Sequence, residues 1–191
     1  LELKFYNKEF DDDYHLKLKN HIFKNKPVVF LMGLDEIDLS ILKNSFVIYM
    51  GHHGDRSASV ADIILPTPAY TEKSSTYVNM EGRVLQTSRC YHPLGEAKEE
   101  WKIFRSLSKE INGNLIFNNI QELRTEILKK YNIFQELNTL PNISKINFGK
   151  KINIDFRKLE QTINNFYMND SISRSSITMA NCTREILNQK N

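Results

Sequence analysis

Two continuous apolar runs, close together in the chain, constrain the fold more than any other feature. Pro27 opens Val28-Val29-Phe30-Leu31-Met32-Gly33, and Phe46-Val47-Ile48-Tyr49-Met50 follows. Runs without polar alternation are what strands covered on both faces show, as in a parallel sheet. Asp35 or Asp38 can cap a short helix between them, through Ile37, Ile41 and Leu42. Strand, helix, strand predicts a βαβ unit with a right-handed crossover. Ile63-Ile64-Leu65 predicts a third strand, ended by Pro66-Thr67-Pro68. Between the second and third strands lies the loop Gly51-His52-His53-Gly54-Asp55. Its two glycines permit positive φ or close backbone approach, and Asp55 or Ser57 can cap a short helix over Ser57–Ala61.

The pattern then changes twice. Tyr77-Val78-Asn79-Met80 and Arg83-Val84-Leu85-Gln86 flank Glu81-Gly82, which predicts a hairpin with Gly82 at positive φ. From Glu96 the apolar period becomes helical. Ala97, Trp101, Phe104, Leu107 and Ile111 form one stripe, with Gly113 as the C-cap candidate. Ile120, Leu123, Ile127 and Tyr131 form a second. Residues 132–155 predict a connector, Phe156–Met168 a third helix, and Asp170 or Ser171 caps a fourth through Ile172, Met179 and Ile186. The fold class is therefore α/β: a parallel βαβ sheet with a β-hairpin, followed by a helical C-terminal extension. The expected divisions are an N-terminal connector at 1–26, an α/β domain at 27–113 and the extension at 114–191. Within the connector, an acidic cluster at Asp11–Asp13 precedes a short helix through Leu16, Leu18, Ile22 and Phe23.

Composition narrows the function classes. The chain of 191 residues is 40% hydrophobic and 26% charged, enough apolar side chain to bury a core. Net charge is +3, but the basic residues are scattered and form no basic face interleaved with aromatics, so no nucleic-acid surface is expected. Cys90 and Cys182 are far apart and cannot alone hold an iron–sulfur cluster or a structural zinc. The apolar runs are far shorter than the roughly 20 residues of a membrane span. The first residues are charged and aromatic, unlike a signal peptide. The sequence opens at Leu1 rather than Met, which leaves room for a preceding part. Asn, Ile and Lys are over-used, a bias of A/T-rich codons that fits an organellar genome and carries no chemistry.

No catalytic, cofactor-binding or metal-binding residue is assigned. His52 and His53 are adjacent on a loop expected to be extended, where neighbouring side chains point apart. His15, His21 and His92 lie in no ligand spacing. Each histidine reads best as a loop imidazole donating to a backbone carbonyl. Gly51–Ser57 lies where sheet enzymes hold phosphates and cofactors, yet matches neither GxGxxG nor a P-loop. Glu72, Lys73, Ser74, Ser75 and Thr76 read as a solvated turn. Glu81 with Arg83 reads as a local ion pair, and the Trp101 stripe as core.

Several segments nevertheless resemble a known family. They are Gly51-His52-His53-Gly54-Asp55, Ala61-Asp62-Ile63-Ile64-Leu65-Pro66, Ala69-Tyr70-Thr71-Glu72-Lys73, Thr76-Tyr77-Val78-Asn79-Met80-Glu81-Gly82-Arg83 and Glu100-Trp101-Lys102-Ile103. Together they resemble the C-terminal part of the large iron–sulfur (75 kDa) subunit of respiratory complex I, the proton-pumping NADH:ubiquinone oxidoreductase. Phe166-Tyr167-Met168-Asn169-Asp170-Ser171-Ile172-Ser173-Arg174-Ser175-Ser176 with Thr178-Met179-Ala180 resembles that subunit's mitochondrial tail. The likeness runs from Pro27 to Ile186 and weakens between Ile116 and Phe156. The Ala-Asp-hydrophobic-Leu-Pro and Asn-x-Glu-Gly-Arg elements are shared with molybdopterin oxidoreductases at large.

The resemblance implies a molybdopterin oxidoreductase-like fold that has lost its molybdenum cofactor and serves as scaffold. It implies no cofactor in this chain, with the iron–sulfur clusters on an N-terminal part whose Cys-rich motifs are absent here. It implies the C-terminal third of a longer subunit. The implied partners are that cluster-bearing part and other peripheral-arm subunits, with no nucleic acid and no direct membrane span. The implied location is the matrix side of the mitochondrial inner membrane. The competing reading is a fragment of an active molybdopterin-dependent oxidoreductase.

Overall fold

The computed structural model describes residues 26–34, 37–140 and 163–187. The expected helix through Leu16 and Phe23, the acidic cluster, His15 and His21 lie outside them. So do Asp35 and the segment 156–162 of the expected third helix. The chain divides into two compact units, residues 1–67 and 68–191.

The first unit is a three-stranded sheet in the order β1 (Val28–Met32), β2 (Phe46–Gly51), β3 (Ile63–Pro66), all parallel. Val28 pairs with Phe46 and Ile48 with Ile63. β2 lies in the middle, which is why its run is apolar without alternation: Val47, Tyr49 and Met50 are all buried. Leu31, Leu42, Val47 and Tyr49 form the core, with Val29, Ile37, Leu39, Ile41, Ala58 and Ala61 packed on it. The β1–β2 crossover is shorter than a full helix. Asp38 accepts from the Ser40 amide at 3.0 Å and caps a single 3₁₀ turn, Leu39–Leu42. That turn suffices to bring Leu42 onto the sheet.

Asp62 fixes where β3 begins. Its carboxylate accepts from the Val47 amide at 2.7 Å, and its own amide donates to the Val47 carbonyl at 2.8 Å. Both ends of one residue thus close on one residue of the central strand.

The second unit begins with the 3₁₀ turn Tyr70–Glu72 and the antiparallel hairpin β4 (Thr76–Val78) and β5 (Val84–Gln86). Gly82 has φ +81°, as its place in the turn requires. The Asn79 carboxamide accepts from the Glu81 and Arg83 amides, each at 3.0 Å, so the tip is built by a side chain as well as by glycine. Val84, 1% exposed, bridges in parallel to Leu137, and the Asn138 amide donates to the Val84 carbonyl at 2.9 Å. The Arg124 guanidinium donates to the Ser75 and Thr87 carbonyls at 3.1 and 3.3 Å, clamping the open end of the hairpin.

Two helices follow, Glu100–Glu110 and Ile120–Lys130. The first does not end on Gly113. Asn112 takes the left-handed conformation (φ +55°), and the Gly113 amide reaches back to the Ser108 carbonyl at 2.7 Å. This is a Schellman end with Asn in the position usually held by glycine. Gly113 is needed one residue later, where an added Cβ would meet Ser108 Oγ at 2.6 Å. The Trp101 stripe is not core: Trp101 and Phe104 are half-buried, Leu107 and Ile111 are exposed, and the buried residue of this helix is Ser108. The second helix is capped by Asn119, which accepts from the Glu122 amide at 2.9 Å.

The expected fourth helix is cut in two. Asp170 caps Ser171–Arg174, and Ser176 then caps Ile177–Cys182, which runs into a π-helical turn, Thr183–Leu187. Serine hydroxyls explain the break. Ser175 Oγ donates to the Ser171 carbonyl at 2.8 Å and Ser176 Oγ accepts from the Met179 amide at 3.4 Å, bonds that compete with a continuous helix. Before them, Phe166–Met168 is a 3₁₀ turn capped by Asn165, not the end of a long helix. Among the described residues no helix is long and apolar enough to cross a membrane.

Candidate functional site

The loop Gly51–Ser57 leaves the carboxyl end of the central strand, the usual ligand position of an open α/β sheet. Its shape is set by Tyr49, whose phenol donates to the His53 carbonyl at 3.0 Å. The ring crosses Gly51 so closely that an added Cβ would meet the phenol oxygen at 2.3 Å. Gly51 therefore serves close approach and not positive φ. Gly54 has open space around it, so the loop requires only one of its two glycines.

Asp55 accepts from the Arg56 amide at 2.8 Å and starts the helical turn Arg56–Ser59. Ser57 is fully buried, and its hydroxyl donates to the Leu34 carbonyl at 2.6 Å, tying this turn to the end of β1. His52 and His53 do not point apart. Their Nδ1 atoms lie 2.6 Å from each other, with rings perpendicular and centroids 4.8 Å apart. The loop bends here instead of running extended, so neighbouring side chains converge. The contact needs one ring to donate and the other to accept. Among the described residues no three His, Cys, Asp or Glu side chains are grouped to hold a metal ion. The loop's side chains bond to each other and to nearby backbone; it is built as a strand-to-helix turn.

In the second unit, the polar run after Tyr70 is half-buried and bonded, not a solvated turn. Glu72 accepts from the Ala69 amide at 3.0 Å, Lys73 pairs with Glu100, and Ser74 Oγ accepts from the Arg89 amide at 3.1 Å. Glu81 and Arg83 form the expected local pair at 3.3 Å, and Arg83 also reaches the Asn138 carbonyl. Trp101 Nε1 donates to Glu99 at 3.0 Å, its ring meets Phe117 edge-on, and the Lys102 ammonium lies 5.3 Å from the ring centre. Burial opposes the charge on Glu99. The hydrogen bonds from Lys102 and Trp101, with the positive charges of Lys102 and Arg89, outweigh it and hold the carboxyl below its usual range. Cys90 is exposed and Cys182 half-buried; both are free thiols.

Sequence reasoning passed over Asp62, Asn79, Asn112 and Arg124. Asp62 and Asn79 stand inside quoted motifs, and each is a short polar side chain beside a strand end, which is the signal that could have marked them. Arg124 looks like any helix-surface arginine.

The sequence model of the family described as Molybdopterin oxidoreductase matches residues 7–110, and one describing the C-terminal region of an NADH-ubiquinone oxidoreductase subunit matches residues 139–182. The chain is 44% identical over 167 residues to the NADH-ubiquinone oxidoreductase 78 kDa subunit, mitochondrial, of Candida albicans, covering 81% of this chain and 23% of that protein. It is 39% identical over 176 residues to the NADH-ubiquinone oxidoreductase 75 kDa subunit of Reclinomonas americana, covering 89% and 25%. It is also 39% identical over 155 residues to an NADH-quinone oxidoreductase subunit of Rickettsia bellii, covering 81% and 23%. The chain thus spans about a quarter of the length of these relatives, less than the third expected.

Proposed function

The chain belongs to the molybdopterin oxidoreductase family, and on that premise we propose that it is a structural, non-redox segment of a respiratory NADH:ubiquinone oxidoreductase. It corresponds to the C-terminal part of the large iron–sulfur subunit. It supports electron transfer from NADH to ubiquinone without carrying electrons or supplying a catalytic group. The clusters belong to the polypeptide that precedes this region in the relatives. The segment docks on that part and on other subunits of the peripheral arm, on the matrix side of the mitochondrial inner membrane.

One observation supports this reading: the polar groups of the loop at the carboxyl end of the sheet are turned onto the chain itself. A molybdopterin with its phosphates needs donors aimed outward and space above the strand end. Here the Tyr49 ring fills the approach to Gly51, Ser57 Oγ is turned onto Leu34, and the two imidazoles bond to each other. The alternative, a fragment of an active molybdopterin-dependent oxidoreductase, rests on the family match alone.

The test is metal and pterin analysis of the chain purified with its assembly, alongside native electrophoresis. The scaffold reading expects the chain to co-migrate with an NADH-oxidising assembly, and its removal to lower the amount of that assembly. Stoichiometric molybdenum or pterin bound to this chain, or migration of the chain alone, would overturn it.

A further inference from the structure

The sequence contains one Asn-Gly pair, Asn112-Gly113, and it stands at the end of the helix Glu100–Glu110. An asparagine followed by glycine is the setting most open to attack by the following nitrogen, because no Cβ shields that nitrogen. Both residues are exposed, so water reaches them. Asn114, Asn118 and Asn119 are exposed as well, but Leu115, Asn119 and Ile120 follow them and crowd the nitrogen. The helix end acts on the pair directly. The Gly113 amide donates to the Ser108 carbonyl at 2.7 Å, and the Asn112 amide to the Lys109 carbonyl at 3.3 Å. Asn112 is held at φ +55°. A nitrogen whose proton is engaged in a short hydrogen bond is a poor nucleophile, and the cap keeps it from turning onto the neighbouring carboxamide. Helix ends are also the part of a helix that opens most readily.

We propose that Asn112 is a site of spontaneous deamidation whose rate is set by opening of this helix cap. When the cap opens, the Gly113 nitrogen attacks Asn112 Cγ. A bond forms between them, the bond from Cγ to Nδ2 breaks, and the amide proton leaves with Nδ2 as ammonia. Water then adds to one or other carbonyl of the resulting imide and opens the ring. One product is aspartate. The other is isoaspartate, in which the main chain runs through the side-chain carbon. Water is the co-reactant, and nothing is oxidised or reduced. Neither product restores the cap. Aspartate places a negative charge at the carbonyl end of the helix, where the macrodipole disfavours it. Isoaspartate lengthens the main chain by a methylene, so the Gly113 amide is carried away from Ser108. The change is one-way, and it marks chains whose cap has been open. It goes beyond the scaffold reading and does not depend on it.

The test is peptide mapping by mass spectrometry of the purified full chain, incubated at neutral pH both folded and in denaturant. Asn112 should gain the mass of acid for amide in both, roughly tenfold more slowly in the folded chain, since only the open fraction reacts. Asn114, Asn118 and Asn119 should stay unchanged over the same period. Lys109 is exposed, and Lys109→Gly leaves the Asn-Gly pair intact while loosening the last turn. It should speed the reaction of the folded chain by about threefold and leave the denatured chain alone. Equal rates in the folded and denatured chain, or a folded rate that Lys109→Gly does not change, overturn control by the cap. A folded chain still unmodified when the denatured chain has long been converted overturns reactivity in the native state. No product at Asn112 in denaturant, or a mass gain that persists in Asn112→Gly, overturns the site itself.

Discussion

The parallel sheet and the segment 163–187 are built by opposite means. In the sheet, Leu31, Leu42, Val47 and Tyr49 are brought together from across the unit, and burial holds them. In the segment nothing is buried, and Asn165, Asp170 and Ser176 hold three short turns by capping. One region is held by contacts that are non-local in sequence, although Val28, Met32, Phe46, Ile63 and Ile64 of its strands stay exposed. The other is ordered in shape but weak in stability, because caps contribute only about 0.5–2 kcal/mol each.

The comparison can be broken most directly at the sheet. Met50→Ala should destabilise the chain by about 2–5 kcal/mol, since Met50 is wholly enclosed on the central strand. Chemical denaturation of the full chain measures this, and a loss under about 1 kcal/mol would mean that β2 is not central to stability. Next come the two loop glycines. Gly51→Ala should cost about 1–3 kcal/mol by driving Tyr49 aside, while Gly54→Ala should fall within about 0.5 kcal/mol of neutral. Equal effects at the two positions would refute the account of the loop.

Trp101→Ala should cost about 2 kcal/mol, less than the roughly 3–5 expected of a core tryptophan, because the side chain is only partly buried and Nε1 binds Glu99. Glu99 adds a pH dependence whose sign follows from its lowered value. Its stabilisation is present in full above the ordinary carboxylate range and is lost as pH falls toward the folded value. Denaturation midpoints followed from about pH 7 to about pH 3 should therefore fall less steeply in Glu99→Gln; parallel curves would count against the Lys102 and Trp101 contacts. Smallest and most local, Asp170→Ala should loosen amide exchange across 171–174 by about 1 kcal/mol and leave β1–β3 amides untouched. Loss of protection spreading into the sheet would show that the two regions are one cooperative unit.

What could be read from the chain beforehand follows the same division. The apolar run Phe46–Met50 announced the central strand, with Val47, Tyr49 and Met50 buried, but the same signature in Val28–Met32 marks an edge strand whose Val28 and Met32 are exposed. Gly82 announced the hairpin because few residues accept its φ. Asn112 hid the helix end, since Asn tolerates the left-handed region without requiring it. The paired histidines were unreadable because local bending reverses the rule for extended neighbours. The Trp101 stripe showed a correct helical face, but periodicity reports which side is apolar and not how much of it is covered. Ser176 cut a helix whose heptad spacing of Ile172, Met179 and Ile186 looked continuous, since the competing hydroxyls carry no periodic signal.

Asp62 has a consequence for alignment. Parallel strands joined by short crossovers have little besides side-chain pattern to stop them sliding, and β3 offers three similar residues, Ile63, Ile64 and Leu65, to its neighbour. A slip by one residue would exchange the two faces of the strand yet leave both apolar. The paired bonds from Asp62 to Val47 are satisfied in one alignment only. Asp62 thus works as an indexing pin: it selects a single position for a strand whose greasy side chains would tolerate two.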